Sequence, residues 1–457
     1  MARVRSVFVC QSCGHQVPRW LGRCPECDAW NTYLEERAPQ TGAKAASARG
    51  SGERATALSA VRYEEEARLA TGIAELDRVL GGGFVPGSVV LLGGEPGIGK
   101  STLALQALAR LSAAGHEALY VTGEESARQT RLRAERLGLS AEKLLVLAER
   151  SLEAVLEQVR EIRPRAVVID SIQTLESADL TSAPGSVSQV REGASRILEV
   201  AKASGMVVLL VGHVTKDGVI AGPKTLEHLV DVVLSFEGEP GRATRVLRGV
   251  KNRFGATDEI GVFEMKGRGL VEVSNPSMIF LADLAARETP ATGSVVAASL
   301  EGTRPLLVEI QALVSASRNA MARRTTLGVD DGRVAMLVAV LEKKAGLDLA
   351  GLDLYVNVAG GVRISEPAVD LAVAAALASS FLNKPVRGRL AFAGEVGLTG
   401  EVRGIAGCEA RAREAGRLGF EAIVLPARSE DLSEAPEGLA LIRVGSVGDL
   451  MEKIFHG

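Results

Sequence analysis

Gly94-Glu-Pro-Gly-Ile-Gly-Lys-Ser101 fits the spacing G-x-x-x-x-G-K-[ST]. Glycines at these positions let backbone N–H groups turn inward onto phosphate oxygens. A helix starting behind them adds its positive dipole end. Lys100 then reaches the β- and γ-phosphates of a nucleoside triphosphate, and the Ser101 hydroxyl meets Mg²⁺. The candidate nucleotide-binding set is Gly94, Glu95, Pro96, Gly97, Ile98, Gly99, Lys100, Ser101 and Thr102. Asp170 closes the apolar run Ala166-Val-Val-Ile-Asp170 and is the second candidate Mg²⁺ ligand, usually through water. Glu124 and Glu125 follow Ala118-Leu-Tyr-Val-Thr122 and are candidates for orienting or deprotonating the attacking water. For Glu125 a helix cap or a solvated charge is the alternative. His213 ends the run from Met206 and is a candidate γ-phosphate sensor, with a hydrogen-bonded strand-end histidine as the alternative.

A second constellation lies near the N-terminus. Cys10-Gln-Ser-Cys13 and Cys24-Pro-Glu-Cys27 are two C-x2-C turns ten residues apart, able to close a tetrahedral site around one Zn²⁺. About thirty residues cannot bury enough apolar surface to fold alone, so the metal would supply the stability. Four sulfurs leave no open position for water, so the site reads as structural. His15 reads as a surface residue, Trp20 and Trp30 as packing for a tiny core, and Cys408 as a buried small apolar residue.

The elements that must position these groups follow from periodicity. Val89 to Leu92, Ala118 to Thr122, Ala166 to Asp170 and Met206 to Val211 are apolar runs of buried-strand type. Between them Thr102 to Arg110, Leu152 to Ile162 and Ser188 to Ala203 carry helical spacing. Such alternation predicts an α/β fold with a parallel sheet covered on both faces, and ligands collect beyond the strand C-termini. Leu69 to Leu80 predicts a short helix capped by Thr71 or Gly72 and ended by Gly81 to Gly83. Glu35 to Ala60, rich in Ala, Gly, Ser and Arg without a period, reads as a tether. Loops 175–186 and 215–224 should be mobile and emerge on the catalytic face.

At 457 residues the chain holds two or three domains, and 46% hydrophobic content with 4% aromatics means aliphatic cores. No apolar run approaches the ~18–20 residues that span a bilayer. Nothing near Met1 suggests export, and five cysteines in so long a chain suit a reducing cytoplasm. A net charge of −3 leaves any nucleic-acid contact to local basic patches. Lys251-Asn-Arg-Phe-Gly255 is one: it follows the strand-like Arg245 to Arg248, with no carboxylate after it before Asp258 and Glu259. Lys251 and Arg253 can stabilise a transferring phosphoryl group in a neighbouring subunit, or bind DNA phosphates, with a solvated basic turn as the alternative.

These motifs, the pentapeptide most specifically, resemble the bacterial RadA (Sms) family of DNA repair proteins over essentially the whole chain. The resemblance implies a RecA-like P-loop ATPase core, an N-terminal zinc ribbon and a C-terminal Lon-protease-like α+β domain. The corresponding divisions are 1–34 (ribbon), 35–65 (flexible linker), 66–280 (ATPase) and 285–457 (Lon-like). It further implies a homohexameric ring, single-stranded and branched DNA as partners, and ATP-driven branch migration beside the RecA recombinase. By the same resemblance Glu124, in Val121-Thr-Gly-Glu124, takes the water-activating place. Candidate DNA contacts are Lys216, Lys224, Lys251, Arg253, Arg318, Arg323 and Arg324, with Arg333 nearby.

Lon-type proteases use a Ser–Lys dyad. Ser365-Glu-Pro-Ala-Val-Asp370 places Ala368 at the nucleophile position, and a methyl group cannot attack a carbonyl. Glu409 stands where the lysine would be. The expectation is therefore a catalytically silent domain. The rivals are an ATP-dependent peptidase, opposed by those two residues, and a RecA-fold signalling ring, whose second motor domain is missing here.

Overall fold

The computed structural model describes residues 6–11, 13–37, 67–139, 143–212, 225–238, 242–287, 289–317, 322–429 and 435–455. Two compact units emerge, one formed by residues up to Glu237 with Arg245–Glu272, the other by Gly238–Thr244 with Val273 onward.

Three short strands begin the first unit: β1 (Ser6–Cys10), β2 (Gln16–Val17) and β3 (Tyr33–Arg37), in the order β2-β1-β3. β3 pairs with β1 out to Arg37, opposite Ser6, so the ribbon extends three residues past the expected boundary at 34. Its core is Cys10, Val17, Cys24 and Tyr33. The tryptophans do not fill it: Trp20 is 51% and Trp30 68% exposed, with Arg23 over the Trp30 ring. The Tyr33 ring, Val17, Cys10 and Cys24 fill that centre instead. Most of the expected linker, 38–66, lies outside the described residues.

The remainder of this unit alternates strand and helix: α1 (Ala74–Leu80), β4 (Val89–Gly94), α2 (Lys100–Ala113), β5 (Ala118–Thr122), α3 (Ala127–Arg136), β6 (Leu144–Ala148), α4 (Leu152–Ile162), β7 (Ala166–Asp170), α5 (Val187–Ser204), β8 (Val207–Val211), α6 (Thr225–Leu229) and β9 (Val232–Glu237). Of these, α3, β6, α6 and β9 add to the expected elements. A tail of β10 (Thr244–Asn252), β11 (Ile260–Lys266) and β12 (Gly269–Glu272) completes a nine-stranded sheet, ordered β12-β11-β10-β9-β4-β8-β7-β5-β6. The six strands from β9 to β6 are mutually parallel. One aliphatic cluster packs α1 and α2 on one face of the sheet, and another packs α4 and α5 on the other. The cap of α1 differs from expectation. Its N-cap is Ile73, while the Asp77 carboxylate accepts from the Thr71 and Gly72 backbone N–H groups. Those two residues are therefore a bound turn and not the cap.

In the second unit α7 (Pro276–Phe280) and α8 (Ala282–Ala285) precede β13 (Ser294–Glu301), β14 (Arg304–Ala316), β15 (Arg324–Leu327), α9 (Asp331–Ala345), β16 (Leu352–Val358), α10 (Asp370–Leu382), β17 (Leu390–Phe392), β18 (Glu395–Val396), β19 (Val402–Arg403), α11 (Cys408–Arg417), β20 (Ala422–Pro426), β21 (Ala440–Val444) and α12 (Val447–Phe455). The main sheet runs β15-β16-β14-β13-β17-β20-β21. This unit begins earlier than the expected 285. Arg304 donates to the Val273 and Ser274 carbonyls at 3.1 and 3.0 Å, and Leu307 N–H to the Ser277 hydroxyl at 3.1 Å. Those bonds tie 273–280 to β14.

Candidate functional site

Parallel register brings the candidate groups to one edge. Thr122 lies opposite Asp170, Asp170 opposite Val211, and Leu92 opposite Val211. The loop after β4, the turn after β5 and the end of β7 therefore share the C-terminal edge of the sheet. Gly94 must be glycine because a Cβ there would stand 2.6 Å from the Phe236 carbonyl oxygen. Gly99 caps α2 at φ 116°, where a Cβ would meet Met265 at 2.7 Å. Between them Glu95, Pro96 and Gly97 are exposed, Ile98 is buried, and Ser101 and Thr102 lie half-buried in the first turn of α2. The loop thus presents free backbone donors on a rigid seat.

Lys100 is buried, and its ammonium donates to the Gly94 and Glu95 carbonyls at 2.7 and 2.8 Å. Burial lowers its pKa, and the nearby Asp170, Glu124 and Glu95 carboxylates oppose that shift. This Lys–Asp–Glu proximity is the arrangement that a phosphate chain with a divalent cation would enter. The Ser101 hydroxyl and Asp170 carboxylate are hard oxygen donors that suit Mg²⁺.

Glu124 is exposed at the end of β5 and accepts from the Ser171 hydroxyl at 2.9 Å. Its backbone neighbour Gly123 approaches Thr174 so closely that a Cβ would overlap it, at 2.0 Å. Glu125 is neither a helix cap nor a solvated charge. Ser126 caps α3, in a capping box with Gln129, and Glu125 pairs with Arg133 from α3. Arg133 also donates to the Tyr120 hydroxyl at 3.3 Å and lies 3.9 Å from Asp170. The Tyr120 hydroxyl in turn donates to Asp170 Oδ2. Burial works against the Arg133 charge, but the bond to Glu125 and the fields of Tyr120 and Asp170 raise its pKa overall.

The four ribbon cysteines carry their sulfurs within 4.8 Å of one another. Cys10 to Cys27 is 3.7 Å and Cys13 to Cys24 is 3.5 Å. A tetrahedral ion with ~2.3 Å sulfur bonds needs sulfurs about 3.8 Å apart, so the set fits one. Burial raises the Cys24 thiol, but donation from the Tyr33 hydroxyl and the Cys27 and Glu26 backbone brings it down to about 6. Those donors favour the thiolate at Cys24, whereas burial raises the Cys13 and Cys27 thiols, which metal binding would have to deprotonate. His15 is half-buried and outside the sulfur cluster.

The pentapeptide differs from expectation in two ways. Lys251 and Asn252 are the last residues of β10, not loop residues. Both cations also have partners from earlier in the chain. Lys251 donates to the Glu227 and Val230 carbonyls at 2.6 and 2.8 Å, closing the end of α6. Burial and the neighbouring Arg253 lower its pKa. Exposed Arg253 stands 3.3 Å from the buried Asp231 carboxylate, which also accepts from Val89 N–H. Asn252 pairs with Val232, which pairs with Val90, at the opposite end of β4 from Gly94. Four residues of strand, about 13 Å, separate the two levels.

Of the expected DNA contacts, Arg323 and Arg324 are exposed at the edge strand β15. Arg333 is not available in that way. It forks onto buried Asp370 with two 2.5 Å bonds and balances a carboxyl whose pKa burial raises. His213, Lys216, Lys224 and Arg318 lie outside the described residues.

In the second unit Ala368 is buried in a turn, its carbonyl accepting from Gly394 N–H at 2.7 Å. Glu409 is exposed and pairs with Arg413 one helical turn on. Between these segments Glu366 pairs with Arg411, which is 1% exposed and also donates to the Ala298 carbonyl at 2.6 Å. Glu366 accepts from the Ser299 hydroxyl and Leu300 N–H as well. Cys408 is buried beside this pair in an aliphatic cluster.

Tyr120, Arg133 and Ser171 were not singled out by the sequence. Tyr120 has a readable signal: it shares the parity of Thr122, which the parallel register sets beside Asp170. Arg133 has none, because α3 buries only Thr130 and shows no apolar period.

Comparison with known proteins fits this geometry. Residues 54–219 match the AAA domain family, 8–35 the rubredoxin metal binding domain, and 344–456 the Lon protease (S16) C-terminal proteolytic domain. Fold and site together define a RecA-like ATPase domain carrying a four-cysteine metal ribbon and a Lon-like domain. The chain is 48% identical to the DNA repair protein RadA of Bacillus subtilis (strain 168), covering 100% of both. It is 50% identical to that of Listeria monocytogenes, covering 99% of this chain and 98% of the relative. The Streptococcus pyogenes serotype M1 protein is 47% identical over 100% of both. The chain belongs to the RadA family of DNA repair proteins. Among the described residues no helix is long and apolar enough to cross a membrane.

Proposed function

We propose that this chain is a cytoplasmic ATPase stimulated by single-stranded DNA, which drives branch migration of recombination intermediates beside the RecA recombinase. One observation carries the reading most: Lys100, Ser101, Glu124 and Asp170 share one sheet edge in a chain related end to end to DNA repair proteins. Residues Gly94 to Thr102 cradle the phosphates of ATP, and Lys100 shifts from its two carbonyls onto the β- and γ-phosphates. Ser101 and Asp170 would hold Mg²⁺, and the ion would supply neutralisation of charge developing on the phosphoryl oxygens. Glu124, steadied by Ser171, orients the attacking water. Zn²⁺ is the ion assigned to Cys10, Cys13, Cys24 and Cys27, with a docking role for the ribbon.

Lys251 and Arg253 lie too far from the chain's own phosphate loop to serve it. In a homohexameric ring they would serve a neighbour's ATP, and DNA phosphates are the competing target. Lys216, Lys224, Arg318, Arg323 and Arg324 are assigned to the DNA path, with His213 as sensor. The peptidase reading has no nucleophile at Ala368 and no lysine at position 409. The test is ATP hydrolysis with and without single-stranded DNA, together with migration of a three-strand junction. Stimulation by DNA and loss of both activities in Lys100→Ala are expected. Hydrolysis indifferent to DNA and to Lys100→Ala would sink the proposal.

A further inference from the structure

Asp170 is assigned above to the metal, yet a carboxylate on a strand end can rotate and offer either oxygen. Among the described residues its side-chain partners, Tyr120 and Arg133, both lie on Oδ2. The donor directions are forced. Arginine can only donate, so the Tyr120 oxygen accepts from Arg133 at 3.3 Å and its own hydrogen is left for Asp170. Arg133 is fixed in its turn by Glu125, whose backbone N–H is held by the Thr122 hydroxyl at 3.0 Å. The phenol is fully buried among aliphatic side chains, where an unpartnered hydroxyl would be costly. A phenylalanine would fill the same space without that requirement, so packing alone does not explain a tyrosine.

We propose that Tyr120 is a positioning residue: with Arg133 behind it, it pins Asp170 Oδ2 and so commits Oδ1 to the Mg²⁺ side of the nucleotide site. The network returns through Glu125 to the turn that carries Glu124. The metal-facing carboxylate and the water-orienting carboxylate are therefore registered by one chain of hydrogen bonds. This inference rests on the assignment of Asp170 to the metal.

The test uses the full chain, a non-hydrolysable ATP analogue, and Mn²⁺ followed by electron paramagnetic resonance, so no turnover is needed. Tyr120→Phe should bind the analogue without metal as wild type does, and should bind Mn²⁺ in the ternary complex about 10–100-fold more weakly, as happens when a group that orients a metal ligand is lost. Arg133→Lys keeps the charge but loses the fork, and should shift Mn²⁺ affinity in the same direction by less. It also serves if Tyr120→Phe does not fold. Wild-type Mn²⁺ affinity in a folded Tyr120→Phe would overturn the proposal. Equal loss of metal-free analogue binding would overturn it too, by showing general damage to the pocket. Asp170→Asn with wild-type Mn²⁺ affinity would instead defeat the metal assignment itself, a distinct result.

Discussion

The two units differ in how the charges at their candidate catalytic positions are partnered. In the ATPase unit, Lys100 rests on two backbone carbonyls while Glu124 is exposed at a strand end. Lys100 is hydrogen-bonded to backbone, with the Asp170, Glu124 and Glu95 carboxylates near enough to favour its charge. In the Lon-like unit, the charges around the former dyad positions are spent on each other. Glu366 holds Arg411, Asp370 holds Arg333, and Glu409 holds Arg413. The first unit keeps hydrogen-bonded charges at its nucleotide edge, while the second pairs buried Asp370 and Arg411 with counter-charges. The contrast places activity in particular side chains and not in the architecture that carries them.

If the contrast is right, charge removal in the first unit costs chemistry, and in the second it costs stability. The largest effect should come from Lys100→Ala, which drops ATP hydrolysis to background while leaving the melting temperature within a few degrees. Arg253→Ala should follow, losing on the order of 10³-fold in DNA-stimulated turnover if the guanidinium acts as an arginine finger. Mixing it with Lys100→Ala subunits should restore some hydrolysis, because the Lys100→Ala neighbour lends an intact Arg253 to a good ATP site. No rescue on mixing would assign Arg253 to DNA or to its Asp231 pair. In the second unit, Glu366→Gln leaves Arg411 buried without its counter-charge. The expected loss is about 3–5 kcal/mol in denaturant unfolding of that unit, with basal ATPase retained.

Smaller effects sharpen the same line. Cys24→Ser should release about one equivalent of metal, read by a chromogenic chelator, with basal ATPase near wild type. Smallest of all is the outcome for Ala368→Ser combined with Glu409→Lys. Casein should survive incubation with that variant and ATP, because position 368 is buried and position 409 points to solvent. Cleavage there would mean that position 368 is reachable and the comparison drawn too sharply.

The working edge was largely legible in the sequence because its strands are continuous apolar runs. Ala118–Thr122 and Ala166–Asp170 begin and end where those runs do. The N-terminal cap of α1 was not, since the Asp77 carboxylate satisfies donors several residues earlier in the chain, whereas Gly81 ends the helix in the left-handed conformation as expected. Strand β6 escaped because three of its five residues are exposed at the sheet edge, so no buried pattern marks it. The partners of Lys251 and Arg253 escaped for a different reason. Asp231 and the end of α6 lie about twenty residues earlier, and only the antiparallel return of β10 brings them together. Pairings made by tertiary return leave no local period, which is also why Arg333 read as a free cation.

Strand β10 has a further meaning in the proposed ring. At its start Arg245 donates to the Ile98 carbonyl of the phosphate loop at 3.1 Å, and at its end stand Lys251 and Arg253. Nine residues of strand span about 30 Å. One end would read the nucleotide of its own subunit while the other touches the nucleotide next door. A rod in contact with two successive sites gives the ring a direction of signalling. In such a ring the clockwise and anticlockwise neighbours would differ in what they feel, and turnover around the circle would acquire an order of firing.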